Sequence, residues 1–156
     1  MSTFYICPTP IGNLEDISER VVKTLDAVDV IYCEDTRRAK KLIDHFSIST
    51  PLRSYFVGNE MDKIDEIENT LNEDKDIALI SDAGTPLISD PGSELIRHLV
   101  SKKFEIVSIP GPTSVITALT VSGFEISKFQ FLGFIPKAGK ERSEFLVRLF
   151  NSEIPT

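Results

Sequence analysis

Tryptophan is absent from the 156 residues, and cysteine, histidine and methionine occur only twice each. So sparse a set of metal and redox ligands predicts no metal centre. Cys7 and Cys33 stand alone within apolar runs, without the paired spacing of a zinc site. They are expected as buried thiols of a protein kept in a reducing cytoplasm. His45 and His98 both fall in helical segments, and no Ser–His–Asp motif accompanies them. No two glycines are spaced G-x-G, which excludes the dinucleotide fingerprint and the glycine loop of Rossmann-type methyltransferases. GFIPKAGK at 133–140 has its glycines one residue too far apart for a phosphate loop, and Glu141 stands where a magnesium-binding Ser or Thr belongs. No apolar run approaches the ~20 residues of a membrane span. No basic n-region precedes a long apolar stretch either, so no secretory signal is predicted. Positive charge is short as well: 17 Lys and Arg against 24 Asp and Glu leave a net charge of −7 and a pI near 4.9. That balance argues against a whole-surface nucleic-acid binder and leaves a local basic patch open.

What is present suits a soluble globular chain. Hydrophobic residues make up 41% and charged residues 26%, and a chain of this length buries roughly 70% of its unfolded surface. Apolar runs predict strands over 3–7, 29–33, 76–80 and 105–109, with a weaker one over 52–57. Between them, apolar residues at helical spacing (Leu14, Ile17, Val21, Val22, Leu25, Val28) predict a helix over 14–28. Further helices are expected over 36–46, 61–71, 94–100 and 114–121. Strands alternating with helices in this way mean an α/β fold, a mostly parallel sheet covered by helices on both faces. It should occupy residues 1–120. A restart of the pattern, with a strand over 129–134 and a helix over 141–150, reads either as an add-on to the first sheet or as the beginning of a second, truncated α/β domain over 121–156.

The unusual residues gather where strands end. Pro8-Thr9-Pro10-Ile11-Gly12-Asn13 is a stiff, tight bend, since two prolines fix φ and a glycine permits close approach. Ser81-Asp82-Ala83-Gly84-Thr85-Pro86-Leu87-Ile88-Ser89-Asp90-Pro91-Gly92 follows a buried strand directly. A loop so long and rich in small residues suits a ligand held by main-chain groups. Its two carboxylates would bond hydroxyl or ammonium groups, or cap the next helix. Pro110-Gly111-Pro112-Thr113-Ser114 again joins strand to helix, with Thr113 or Ser114 as the natural N-cap. Glu34-Asp35-Thr36-Arg37-Arg38 sets acids beside bases. Here Glu34 or Asp35 would orient or deprotonate a hydroxyl and Arg37 and Arg38 would hold phosphates, unless the group is a capping box with exposed charges. Lys40 and Lys41 extend the positive charge, and Asn59-Glu60 is a further, weaker candidate. With parallel strands, these loops meet at one rim of the sheet.

TPIGN at 9–13, CEDTRRAKKLIDHF at 33–46, NE at 59–60, SDAGTPLISDPG at 81–92 and IPGPTSVITALTVSG at 109–123 resemble one family in order. The chain is similar to the bacterial 16S ribosomal RNA 2′-O-ribose cytidine methyltransferases of the tetrapyrrole methylase superfamily from about Phe4 to Phe134, and FLGFIPKAGKER at 131–142 looks like that family's entry into its second domain. The resemblance implies S-adenosyl-L-methionine as cofactor, folded into a cleft between two domains. It places Pro10 beside the cofactor and Asp82, Ala83, Gly84, Thr85, Pro86 and Ile88 in its main binding loop, with Thr85 replacing that loop's usual Asp. Thr113, Ser114 and Ala118 would line the methionine side. Glu34 and Asp35 would be catalytic, and Arg37, Arg38, Asn59 and Glu60 would face the substrate. The implied partners are 16S ribosomal RNA or the small ribosomal subunit and a second copy in a homodimer, in the cytoplasm and without a membrane. Members of that family run on to a complete second domain, so these residues are expected to be a fragment, inactive alone for want of part of the pocket. Two other readings remain open: a methylase of corrin or porphyrin precursors from the same superfamily, and a non-catalytic fragment that self-associates.

Overall fold

The computed structural model describes residues 2–152 and 154–156. Five strands form one sheet, β1 (Thr3–Cys7), β2 (Val30–Cys33), β3 (Leu52–Ser54), β4 (Ile77–Ile80) and β5 (Glu105–Ser108). Their order is β3-β2-β4-β1-β5, and every pairing is parallel. The helices are α1 (Glu19–Ala27), α2 (Thr36–His45), α3 (Glu60–Asn72), α4 (Ser93–Ser101), α5 (Ser114–Val121) and α6 (Gly139–Phe150). The chain forms two compact units, Met1–Thr113 and Ser114–Thr156, so α5 belongs to the second unit although the sequence pattern continues through it to 120.

Side chains alternate across the three central strands with period two, and each face builds its own core. Phe4, Ile6, Val30, Tyr32, Ile77 and Leu79 point to one side and pack with Ile64, Ile67 and Leu71 of α3 and Leu95 and Leu99 of α4. Cys7, Ile31, Cys33, Ala78 and Ile80 point to the other and pack with Val21 and Leu25 of α1 and Ala39 and Ile43 of α2. Helices thus cover both faces of the α/β sheet. Both cysteines are buried, and burial pushes each thiol up to about 12. Such thiols are packing groups rather than nucleophiles.

Three expected elements differ. The helix over 14–28 is interrupted: a 3-10 turn at Leu14–Asp16 is capped by Asn13, Ile17 is extended, and Ser18 caps α1 by accepting the Val21 N–H. Two competing caps five residues apart divide what the apolar period alone joins. The strand over 52–57 ends at Ser54 because the chain turns there. Asn59 Oδ1 accepts the Phe56 N–H at 2.8 Å, and the Asn59 N–H donates back to the Phe56 carbonyl. No strand forms over 129–134. Among the described residues the second unit holds no other strand, and a lone extended run has no ladder to join; the Gln130 N–H bonds to the Pro155 carbonyl instead. Among the described residues no helix is long and apolar enough to cross a membrane.

Ile67 is fully buried in α3, whereas Met61 of the same helix is largely exposed. Ile67→Ala is expected to cost ~2–5 kcal/mol in urea unfolding, and Met61→Ala to stay within ~0.5 kcal/mol of the parent.

Candidate functional site

Because all five strands run parallel, every strand leaves the sheet at one rim. There the loop 81–92, which follows the middle strand β4, acts as a hub. Its Gly84 exchanges two main-chain hydrogen bonds with Thr9 of the loop after β1, at 2.9 and 3.0 Å. Thr9 Oγ1 donates to the Ser81 carbonyl and Ser81 Oγ to the Gly84 carbonyl, both at 3.0 Å. Toward the loop after β5, Thr85 Oγ1 donates to the Pro112 carbonyl at 3.0 Å. Toward β3, the Gly92 N–H donates to Glu60 Oε1 at 3.0 Å. Toward β2, Arg38 Nη1 donates to Asp82 Oδ2 at 2.9 Å. One loop therefore ties down all four of its neighbours.

The backbone reaches this arrangement through positions few side chains tolerate. Gly92 has φ +128, and a Cβ there would stand 2.5 Å from Leu87 Cδ2. Leu87 itself takes φ +77, a left-handed conformation that costs a bulky residue energy and persists only where its surroundings enforce it. Its side chain packs against the core on the α3–α4 side. Gly111, with no unusual φ, is held by close approach: a Cβ would lie 2.2 Å from Pro8 Cγ. Strands β1 and β4 are neighbours whose chains continue to opposite faces, into α1 and α4. This is the topological switch point at which open α/β sheets bind ligands.

Acids concentrate at the same place. Glu34 is exposed at the end of β2. Partial loss of water raises its carboxyl above the ordinary value, the charges of Asp82 and Asp90 add to this, and Arg38 opposes it. Burial likewise raises Asp90, with the Ser81 hydroxyl opposing and Asp82 adding. Asp35 differs in kind. It is the N-cap of α2, accepting the Arg37 N–H at 2.8 Å, Arg37 Nε at 3.2 Å and Arg37 Nη2 at 2.9 Å. Those hydrogen bonds from Arg37 hold its carboxyl down at about 2.

The expected site residues separate into groups. Pro10, Arg38 and Asp82 line a cleft of about 140 Å³ with Thr9, Leu14 and Lys41. Ala83 and Ile88 are exposed on the hub loop, while Gly84 and Pro86 are buried within it. Asn59 engages its own turn, and Glu60 caps the Gly92 N–H. Thr113 closes the first unit. Ser114 opens α5 in the second unit, where Ala118 lines an apolar hollow of about 290 Å³ with Leu119, Phe129 and Phe131. A larger hollow of about 370 Å³ lies beside α1, lined by Tyr5, Arg20, Lys23 and Asp76. It sits where β4 begins rather than at a strand's carboxyl end, so its size does not make it the site. One residue escaped the sequence reading: Tyr55, almost wholly buried just after β3, carries a hydroxyl without a protein partner. Its place in the weaker strand expected over 52–57 carried no signal of function.

The sequence profile of the Tetrapyrrole (Corrin/Porphyrin) Methylases matches residues 3–151. Among curated proteins, the chain is 46% identical over 149 residues to the ribosomal RNA small subunit methyltransferase I of Thermotoga maritima, covering 96% of this chain and 67% of that protein. It is 44% identical to proteins of the same name from Escherichia coli O157:H7, covering 91% and 50%, and from Halalkalibacterium halodurans, covering 92% and 50%. The chain thus spans about half the length of several relatives it matches. Among solved structures, a uroporphyrin-III-C-methyltransferase from Thermus thermophilus aligns with a TM-score of 0.59 at 17% identity, over 81% of this chain and 54% of that one. A putative cobalamin synthesis related protein from Corynebacterium diphtheriae aligns with a TM-score of 0.61 at 20% identity, over 82% and 60%. At these identities the two structures speak for the fold alone.

Gly111→Ala is expected to lower stability by ~1–3 kcal/mol through overpacking against Pro8. Urea unfolding checks this, and an unchanged midpoint would mean that the loops after β1 and β5 part without cost.

Proposed function

Because the chain belongs to the tetrapyrrole (corrin/porphyrin) methylase family, we propose that it carries the cofactor-side and substrate-side loops of an S-adenosyl-L-methionine-dependent methyltransferase. The acceptor is the 2′-oxygen of a cytidine ribose in 16S ribosomal RNA. The observation that carries the reading is the hub loop 81–92, clasped to Thr9 at the switch point and flanked by carboxylates. Support for the RNA substrate comes from relatives 43–46% identical that bear the name ribosomal RNA small subunit methyltransferase I. The donor set fits the cofactor. It is rich in acids, with the charges of Asp82 and Asp90 acting on Glu34, which suits a ligand that is cationic at sulfur and at its amine and carries ribose hydroxyls.

That cofactor supplies a methyl group already activated by its sulfonium. The chain's own residues contribute position and proton handling. Pro10 and the loop from Asp82 through Ala83, Gly84, Thr85 and Pro86 to Ile88 hold the ligand against the rim, with Thr113, Ser114 and Ala118 assigned to its methionine end. Glu34 accepts a hydrogen bond from the acceptor hydroxyl and takes up its proton. Its raised proton affinity brings a carboxylate nearer the working pH of a base. Asp35 positions rather than reacts, since its oxygens hold the start of α2 and the Arg37 side chain. Arg37 and Arg38, with Lys40 and Lys41 behind them, meet RNA phosphates. Their pairings with Asp35 and Asp82 involve largely exposed guanidinium groups, and such surface pairs, worth ~0–1 kcal/mol, exchange readily for phosphate. Asn59 and Glu60 fix the substrate-side loop against Gly92. The setting is the cytoplasm and the working form a homodimer, a state consistent with the exposed Val121, Phe134 and Phe150 of the second unit.

Calorimetric titration of S-adenosyl-L-methionine and of its demethylated product tests the cofactor, using this chain and a version extended by a complete second domain. The extended protein is expected to bind both ligands, and binding by neither protein defeats the reading. For the base, Glu34→Gln in the extended protein is expected to slow transfer to 16S RNA by about 10²-fold or more with cofactor affinity kept; an unchanged rate removes Glu34 from that role.

A further inference from the structure

The chain holds two fully buried tyrosines on the α3–α4 side of the sheet, and they differ in one respect. Tyr32 donates its hydroxyl to Glu66 Oε1 at 2.9 Å. Tyr55, only 1% exposed, has a hydroxyl with no hydrogen-bond partner among the described residues. A buried hydroxyl stripped of water and left unpaired is costly and rare, and a phenylalanine would fill the same core without that cost. The main chain of Tyr55 is fixed, since its N–H donates to the Cys33 carbonyl at 2.8 Å and continues the β2–β3 ladder.

Tyr55 lines a small cavity under the hub loop, together with Glu34, Ser81, Pro86, Asp90 and Pro91. Its volume is about 10 Å³, near the lower limit for a single water. The walls combine apolar surface with a phenol, a hydroxyl and two carboxylates, and such a water needs two to four polar partners of this kind. The carboxylate walls include the residue assigned above to the acceptor proton.

We propose that Tyr55 is a positioning residue of the rim, whose hydroxyl acts through one water in this cavity to orient the carboxylates of Glu34 and Asp90. The site takes water and no larger ligand. Its consequence for methyl transfer rests on the function proposed above, whereas the bridge itself does not. The groups facing the bridge set the sign of its effect. The charges of Asp82, Asp90, Asp35 and the opposing Arg38 act on Glu34; the Ser81 hydroxyl and the Asp82 charge act on Asp90; the Glu60 charge acts on Tyr55. A donor delivered from the phenol side favours the ionised carboxylates against their burial and mutual repulsion. Removing that donor must raise their titration midpoints.

The test uses the 156-residue chain with ¹³C-labelled Glu and Asp carboxyl groups, titrated as wild type and as Tyr55→Phe. In the variant the midpoint of Glu34 or Asp90 is expected to rise by about half a pH unit or more. Both midpoints unmoved overturns the proposal, whatever the melting temperature does. Should Tyr55→Phe fail to fold, the link is read from its other end. Glu34→Gln or Asp90→Asn must then shift the Tyr55 ¹³Cζ resonance, and a resonance unmoved in both overturns the proposal equally. Neither readout involves cofactor or methyl transfer, so its failure is separate from that of the proposed function.

Discussion

Everything at the rim depends on the two main-chain hydrogen bonds between Thr9 and Gly84. Strands β1 and β4 pair in parallel up to Cys7 and Ile80, and beyond that point their chains must diverge to opposite faces. The bridge holds them together for one residue pair past the end of the ladder. Thr9 and Ser81 are buried there, and their hydroxyls donate to the Ser81 and Gly84 carbonyls respectively. Because β4 is the middle strand, anything that fixes its loop fixes the whole rim, and the ties to Pro112, Glu60 and Arg38 then follow.

That construction explains why a long irregular loop is tolerated in a compact unit. Its left-handed positions at Gly84, Leu87 and Gly92 would cost a free loop its order. Here the Leu87 side chain is seated in the core and Gly92 leaves room for it. The same loop brings Asp82 and Asp90 toward Glu34, so the charges of Asp82 and Asp90 help raise Glu34 and that of Asp82 helps raise Asp90. Repulsion among them is concentrated at the place where the proposed cationic ligand would relieve it.

Relatives of known name and neighbours of known fold bear on different levels. The uroporphyrin-III-C-methyltransferase shares the architecture at 17% identity, and fold alone does not choose a substrate. The basic run on α2, absent from any argument about the sheet, is what points toward phosphates: Arg37, Arg38, Lys40 and Lys41 are all exposed. A charge run of this kind on an otherwise acidic chain marks a local surface rather than a global preference.

How much of this was legible before the structure varies by residue. The strands at Thr3–Cys7 and Ile77–Ile80 and the helix Ser114–Val121 follow from apolar spacing, because burial on a strand or a helix face imposes a period on the sequence. So does the gathering of Pro, Gly, Asp and Thr where strands end, since only such residues make these turns. Spacing does not reveal pairing. The run 129–134 has a strand's composition and no strand to join, and the stretch 14–28 has one helix's period yet two helices' caps. The capping role of Asp35 was one of the readings the sequence offered, but the rest of the division of the site's side chains was hidden: Asn59 bound to its own turn, Glu60 to Gly92, and Tyr55 buried with a free hydroxyl. Local periodicity and turn chemistry depend on neighbours in the chain and are written in the sequence. Which carboxylate stays exposed, and which buried residue shares its cavity, depends on residues far apart in the chain such as Glu34, Tyr55 and Asp90, and these meet only once β2, β3 and β4 lie side by side.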